Sequence, residues 1–243
     1  MTAQRWYFAA MDRAIIFDVA GTLAETEETH REAFNRAFCG AGLDWSWDQD
    51  LYRQLLAVTG GKERIRYFIE DFGGEGAPRD NLDAFIRALH AEKTRAYTQM
   101  VSDGELELRP GVREVLDLAR RRGYRLAIAT TTTPANVDAL LGANFGEHGQ
   151  GLFEVICAGD SVPNKKPAPD VYLKALEELD LPATHCVAVE DSRNGLLSAC
   201  AANIRTVVTP GIYTHHENFD EAALVIDSLE SLDAAALDSL FAG

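Results

Sequence analysis

Basic residues and cysteines are scarce in this sequence. It has 23 Lys and Arg against 38 Asp and Glu, which gives a formal net charge of −15 at pH 7. Binding to nucleic acid or to an anionic membrane requires clustered Lys and Arg, so we expect neither partner. The four cysteines show no paired spacing (Cys39, Cys157, Cys186 and Cys200), so we expect reduced thiols and no zinc site.

Long apolar runs are also missing, and none approaches the length of a membrane-spanning helix. The apolar segment Trp6–Ala10 is too short for a secretory signal, and charged residues follow it at Asp12 and Arg13. We therefore expect a cytoplasmic protein, with a monomer as the default state. The 243 residues are enough for one large domain or for a core with a smaller insert.

Short apolar runs typical of buried strands alternate with amphipathic segments typical of helices. Strands are predicted at Ala14–Phe17, Leu126–Ala129, Phe153–Ala158, Cys186–Val189 and Arg205–Val208. Helices of the same region are predicted at Val112–Arg121, Ala135–Leu141, Asp170–Leu179 and Asn194–Ala202. This alternation predicts an α/β fold, a doubly wound parallel sheet with helices on both faces.

The interval between the first two predicted strands is too long for a single crossover. It shows amphipathic stripes typical of helices, interrupted by a Gly- and Pro-rich break at 73–78. Helices are predicted there at Glu27–Cys39, Gln49–Ala57, Lys62–Phe72 and Leu82–Met100. We therefore expect a core domain formed by 1–25 and 102–243 and an inserted helical domain formed by 26–101, with hinges near 23–26 and 101–108.

Polar residues stand at or just after the carboxyl ends of four predicted strands, the edge at which open α/β sheets bind their ligands. They are Asp18, Thr130, Lys166 and the pair Glu190 and Asp191. Together they fit phosphoryl transfer, with Asp18 attacking phosphorus as the nucleophile. Mg²⁺, which prefers oxygen ligands, would lie between Asp18 and the pair Glu190 and Asp191. Thr130 and Lys166 would hold the phosphoryl oxygens where charge develops.

These motifs, in this order and over nearly the whole chain, resemble the haloacid dehalogenase superfamily of phosphatases with a helical cap after the first motif. Within the superfamily, segments 23–31 and 59–65 are similar to the CbbY branch, which is associated with the Calvin cycle. The resemblance implies a Rossmann-like core and a Mg²⁺-dependent phosphatase. It also implies conversion of xylulose 1,5-bisphosphate to xylulose 5-phosphate through an aspartyl-phosphate on Asp18.

The second phosphate of such a substrate has a candidate site in the predicted cap. Gly60 and Gly61 precede a predicted helix, so backbone N–H groups can approach an anion closely there. Lys62 and Arg64 add positive charge in the same turn. An ordinary helix start with surface cations is the alternative interpretation.

Three further contacts with substrate are expected. Thr131 follows Thr130 and is expected to contribute to the phosphate site. By resemblance, Glu25 contacts hydroxyl groups of the substrate. A histidine at the position of His30 helps to couple cap closure to the chemistry in β-phosphoglucomutase-like relatives, although a plain histidine on a helix surface is the alternative.

One position departs from the family pattern Asp-x-Asp-Gly-Thr, because Ala20 stands where the second aspartate is expected. In the family that aspartate protonates the leaving oxygen and then activates water against the aspartyl-phosphate. Its loss costs about 10²–10⁴-fold per step. The backbone carbonyl of Ala20 remains available as a metal ligand. We therefore expect metal and substrate binding to persist, with turnover badly impaired.

Three explanations of Ala20 stay open. In the first, Ala20 is an introduced substitution in an ordinary phosphatase. In the second, the chain is a natural pseudoenzyme that binds a sugar phosphate. In the third, the chain is a phosphonatase, the branch whose own motif has alanine here and which cleaves a C–P bond through a Schiff base on a cap lysine. Lys62 is then the candidate amine. Reversion to aspartate, ligand binding and borohydride trapping distinguish the three.

Overall fold

The computed structural model describes residues 12–78, 80–103 and 106–242, so Trp6–Ala10 lies outside the described residues. One sheet has six strands: β1 Ala14–Phe17, β2 Arg125–Ala129, β3 Val155–Cys157, β4 Cys186–Glu190, β5 Arg205–Val208 and β6 Leu224–Val225. Their spatial order is β3-β2-β1-β4-β5-β6, and all neighbouring strands are parallel. The order reverses beside β1, which opens a crevice at its carboxyl end.

The helices follow the predicted alternation. They are α1 Glu27–Gly40, α2 Gln49–Leu55, α3 Gly61–Phe68, α4 Leu82–Ser102, α5 Val112–Arg122, α6 Pro134–Phe145, α7 Asp170–Leu179, α8 Arg193–Ala201 and α9 Ala234–Leu240. A π-helical turn at Ile69–Gly73 extends α3, and single 3₁₀ turns lie at Gly146–His148, Gln150–Leu152, Ala183–His185 and Leu229–Ser231. None of the described helices is both long and apolar enough to span a bilayer.

Both faces of the sheet are buried, which explains the uninterrupted apolar strands. Alternate residues such as Ile15 and Phe17 join one apolar cluster with α5, α6 and α9. Their neighbours, such as Ile16, join a second cluster with α7 and α8 on the opposite face. The predicted doubly wound parallel sheet is therefore confirmed.

Helices α1 to α4, here called the cap, pack around a further apolar cluster that is rich in aromatic side chains and that Tyr213, from the segment after β5, also joins. Trp47 is fully buried in it, and Phe34 and Phe38 lie against that ring. Helix α4 belongs to both parts of the molecule, since Leu89 packs in the cap cluster and Tyr97 in the core cluster. The proposed division at residue 101 stays a prediction.

Candidate active site

A cavity of about 290 Å³ lies between the carboxyl ends of the central strands and the cap. The predicted residues that line it are Asp18, Ala20, His30, Gly61, Lys62, Arg64, Thr130, Thr131, Lys166 and Asp191. They come from positions more than 100 residues apart, and the parallel sheet brings them to one edge. The volume suits a small molecule rather than a polymer.

Lys166 lies at the centre of the site. Its Nζ donates to Asp18 Oδ1 and to Glu190 Oε1, both at 2.6 Å, and all three side chains are buried. Burial alone would lower the pKa of Lys166, but the carboxylates of Asp18 and Glu190 outweigh it and raise that pKa above its ordinary value. Lys166 is therefore a permanent cation beside the candidate nucleophile.

Three carboxylates meet at this point. Oxygen atoms of Asp18, Glu190 and Asp191 all lie within 4.8 Å of one another. Burial raises the pKa of both Glu190 and Asp191, and repulsion from the charge of Asp18 raises both further. Glu190 Oε2 is buried and finds no hydrogen-bond partner among the described residues. This donor set fits a hard divalent cation such as Mg²⁺.

Two glycines make room for the carboxylates. Gly21, at φ +81°, lies so close to Asp191 that a Cβ there would collide with its carboxylate. Gly195, in the first turn of α8, lies equally close to Glu190, so a Cβ there would collide with that carboxylate. A side chain at either position would displace a carboxylate, so the arrangement of the three acids requires glycine at both.

The first strand ends in a tight turn that presents Ala20 to the cavity. Asp18 N donates to Val189 O at 3.0 Å and extends the pairing of β1 with β4 by one residue. The turn then closes through Leu23 N and Val19 O at 2.9 Å. At the position where the family pattern has a carboxylate, the cavity wall therefore carries only a methyl group.

Thr130 directly follows β2 and extends the pairing of β2 with β3 by one residue. Its N–H donates to Cys157 O at 2.9 Å, and its Oγ1 accepts from Thr132 N at 3.2 Å. Thr130 and Thr131 both line the cavity just before α6 begins. The Thr130 hydroxyl accepts one hydrogen bond and keeps its own proton to donate, which is what a phosphoryl group in this cavity needs.

The two predicted cations of the cap are both engaged. Lys62 forms an ion pair with Asp160, which follows β3 in the core. Arg64 is buried, and its guanidinium donates to Tyr52 Oη at 2.9 Å and to the carbonyls of Leu55 and Val58 at 3.2 and 3.3 Å. Binding of a second phosphate by Arg64 stays a prediction, and it would have to compete with these contacts.

Glu25 lies beside the cavity rather than on its wall. Its Oε1 is 3.3 Å from Arg109 Nε. Arg109 in turn donates to the carbonyls of Thr209 and Pro210 at 2.7 and 2.9 Å. This network ties the segment after β1 to the segment after β5. Contact between Glu25 and substrate hydroxyls also stays a prediction.

Lys93 is a cavity residue that the sequence reasoning missed. Its Nζ lies 2.8 Å from His30 Nδ1, and both side chains are buried. His30 stacks on Tyr97 with 4.2 Å between ring centroids. Burial lowers the pKa of His30 well below its ordinary value and that of Lys93 to about 7. The sequence does indicate that Lys93 is buried, because this residue falls in the apolar stripe that Ile86 and Leu89 begin on α4.

Replacing this amine should stabilise the fold in a pH-dependent way. Lys93→Met is expected to raise the free energy of unfolding by about 2–4 kcal/mol at pH 6.5. The pKa of Lys93 is lowered on folding, so the unfolded chain binds more protons between about pH 7 and the unfolded pKa of about 10.4. The cost of burying the ammonium is thus complete below pH 7 and disappears as pH rises through this window.

Urea unfolding at pH 6.5 and 9.5 measures the effect. Arg95→Met is the matched control, because Arg95 lies two residues along α4 and forms an exposed pair with Glu92. The control should change stability by less than about 0.5 kcal/mol at either pH. An equal gain at both pH values for Lys93→Met would contradict the lowered pKa.

The chain is similar to known proteins over most of its length. The haloacid dehalogenase-like hydrolase family matches residues 13–203. Protein CbbY of Rhodobacter capsulatus is 51% identical over 228 residues, which cover 94% of this chain and 98% of that protein. The crystal structure of CbbY from Rhodobacter sphaeroides in complex with phosphate superposes with a TM-score of 0.88 at 49% identity, covering 93% of this chain and 99% of that one. A mutant of that protein in complex with xylulose-(1,5)bisphosphate superposes equally well, with a TM-score of 0.88 at 49% identity and coverage of 93% and 98%. This chain therefore belongs to the haloacid dehalogenase-like hydrolase family, in its CbbY branch.

Proposed function

We propose that the protein is a Mg²⁺-dependent phosphomonoester hydrolase that acts on a small sugar bisphosphate. The observation that carries the proposal is the carboxylate of Asp18 on the cavity wall, held at 2.6 Å by the ammonium of Lys166 and flanked by two further acids. The CbbY structure with xylulose-(1,5)bisphosphate supports that compound as the first substrate to test, with xylulose 5-phosphate as the product.

The chemistry follows from the residues on the cavity wall. A carboxylate oxygen of Asp18 attacks phosphorus, the ester P–O bond breaks, and an aspartyl-phosphate forms. Lys166 keeps its proton and neutralises charge on the phosphoryl oxygens, while Thr130 donates a hydrogen bond. Mg²⁺ bound by Asp18, Glu190, Asp191 and the carbonyl of Ala20 would add positive charge at the same oxygens.

The lack of an acid–base group at Ala20 then limits the rate of turnover. The leaving oxygen departs without a proton from this position, and the water that hydrolyses the aspartyl-phosphate meets no base there. The groups that bind phosphate and cation are in place, so binding is expected to survive. The protein is thus proposed as a slow phosphatase that retains its ligands.

Contacts between cap and core support water exclusion during the reaction. Thr59 Oγ1 donates to the carbonyl of Lys166, and Asn194 Nδ2 donates to Ala57 O at 3.3 Å. Tyr213 of the core donates to Glu28 of the cap. A cap seated in this way shields an aspartyl-phosphate from bulk water.

The proposal also includes a cytoplasmic location and a monomeric state.

The direct test is phosphate release from xylulose 1,5-bisphosphate by the purified chain. Slow release that stops with a chelator and returns with added Mg²⁺ is the expected result, since three acidic ligands converge on one point. Release that persists unchanged in chelator would contradict the metal dependence. A lack of both release and binding would overturn the proposed substrate.

The two alternatives to a disabled phosphatase give different results. A pseudoenzyme would bind the bisphosphate but stay inert after Ala20→Asp. A phosphonatase-type enzyme would form an imine that borohydride reduces, seen as an added mass on one lysine. Lys62 is poorly suited to that role because its ammonium pairs with Asp160. The low pKa of Lys93 makes its amine the better nucleophile, so peptide mapping should cover both residues.

A further inference from the structure

Asp160 holds two lysines from opposite sides of the cavity. Lys62 comes from the cap, at the start of α3, and Lys165 from the core loop between β3 and α7. Lys165 Nζ lies 2.9 Å from Asp160 Oδ1, and Lys62 Nζ binds the other oxygen, Oδ2. All three residues line the cavity. One carboxylate thus bridges the cap and the core at the cavity wall.

The arrangement resembles that of a bound oxyanion. Each oxygen of Asp160 accepts from one ammonium, as two oxygens of a phosphate group would. Lys62 and then Lys165 lower the pKa of Asp160 to about 2, so it is a carboxylate throughout the working range of pH. Its side chain is 65% exposed, so water can replace its contacts when another anion takes the lysines.

The neighbouring cations are less suited to a second phosphate. The guanidinium of Arg64 is directed into the cap by its bonds to Tyr52 and to Val58. Lys166 is already shared between Asp18 and Glu190. The exposed carboxylate of Asp160 is thus a partner that is displaced more easily from Lys62 and Lys165 than the buried partners of Arg64 and Lys166 are.

We infer that Asp160 is an internal stand-in for the second phosphate, and that a bisphosphate displaces it from Lys62 and Lys165. The inference rests on the proposed function and deepens it, because it assigns the distal subsite to Lys62 and Lys165 and makes Asp160 a determinant of specificity. A monophosphate leaves the bridge in place. A bisphosphate has to compete with the carboxylate for the same two ammonium groups.

Asp160→Asn should therefore change selectivity rather than affinity in general. Removing the competing charge is expected to tighten binding of xylulose 1,5-bisphosphate by about 3–30-fold, the range expected for two partly exposed ion pairs. Binding of xylulose 5-phosphate should stay within about twofold. Calorimetric titration of the full chain with Mg²⁺ gives both dissociation constants, and the slow turnover conferred by Ala20 makes them measurable.

Two further variants keep the test decisive. Asp83→Asn is the matched control, because Asp83 also pairs with a cation of α3, Arg66, but does not line the cavity. It should leave both affinities unchanged. Lys165→Met should weaken bisphosphate binding by about 3–30-fold and spare the monophosphate, even if Asp160→Asn loosens the cap.

The possible failures are distinguishable. If the parent chain binds the bisphosphate but neither Asp160→Asn nor Lys165→Met changes its preference over the monophosphate, the inference is wrong and the proposed function stands. Equal weakening of both ligands in Asp160→Asn, with no change of preference in Lys165→Met, would make Asp160 a structural bridge only. If no protein of the set binds either ligand, the proposed function falls and the inference falls with it.

Discussion

Ala20→Asp is expected to raise the rate of phosphate release from a sugar phosphate by about 10²–10⁴-fold. The substitution adds a carboxylic acid that can protonate the leaving oxygen and a carboxylate that can then activate water. The groups that would work with it are present: Asp18 faces the cavity, and Lys166 lies 2.6 Å from its carboxylate. Ala20 is only partly buried and lines the cavity, so a larger side chain has space to enter.

The gain should lie in turnover and not in binding. Steady-state kinetics with xylulose 1,5-bisphosphate and Mg²⁺ should show a large increase in kcat and a change in substrate Kd below about threefold, because the added group acts mainly in the transition state. Ala20→Asn is the matched control, since asparagine has the same shape but neither gives nor takes a proton here. An equal gain with Asn would refute the acid–base role, and no gain with Asp would favour the pseudoenzyme.

The parts of the fold that could be predicted from the sequence are those with local signals. Strands buried on both faces are continuous apolar runs, so β1 and β5 are found with their predicted bounds and β4 differs by one residue. The position of Asp18 at a strand end then follows. The strand Leu224–Val225 was missed because two residues are too short to show a period.

The parts of the site that could not be predicted depend on how the cap sits on the core. Lys62 and Asp160 are 98 residues apart, and nothing near either residue indicates the other. The inward turn of Arg64 depends on the carbonyls of Leu55 and Val58, at and just beyond the end of α2. Lys93 was hidden by its type, because a lysine in an apolar stripe is ordinarily assigned to solvent. In each case tertiary contacts, rather than local preference, determine the role.

These contacts also explain how the site tolerates Ala20. Lys166 holds Asp18 and Glu190 in place, and the two close glycines leave room for Asp191 and Glu190; none of these contacts involves the side chain at position 20. Electrostatic organisation and proton transfer are therefore separable in this fold. One can be lost while the other stays intact.

Lys166→Met should damage both the site and the fold. Without a divalent cation, the variant leaves Asp18 and Glu190 buried with no ammonium between them, and loss of one partner from a buried ion pair costs about 3–5 kcal/mol. In the Ala20→Asp background its turnover should fall by at least about 10³-fold, since the phosphoryl oxygens lose their fixed positive charge. Methionine keeps most of the volume of the side chain, so a cavity contributes little to the loss.

Urea unfolding with and without Mg²⁺ separates the lost charge from lost packing. Asp18, Glu190 and Asp191 stand at or just after the ends of β1 and β4, so we expect them to converge in the variant as they do in the parent chain, and Mg²⁺ should restore more stability to Lys166→Met than to the parent chain. Lys174→Met is the control, because Lys174 forms an exposed pair with Glu178 on α7 and should respond to Mg²⁺ as the parent does. If Mg²⁺ stabilises all three proteins equally, the charge that Lys166 supplies and the charge that the cation supplies are not interchangeable at this site. The acidic cluster would then owe its arrangement to packing alone.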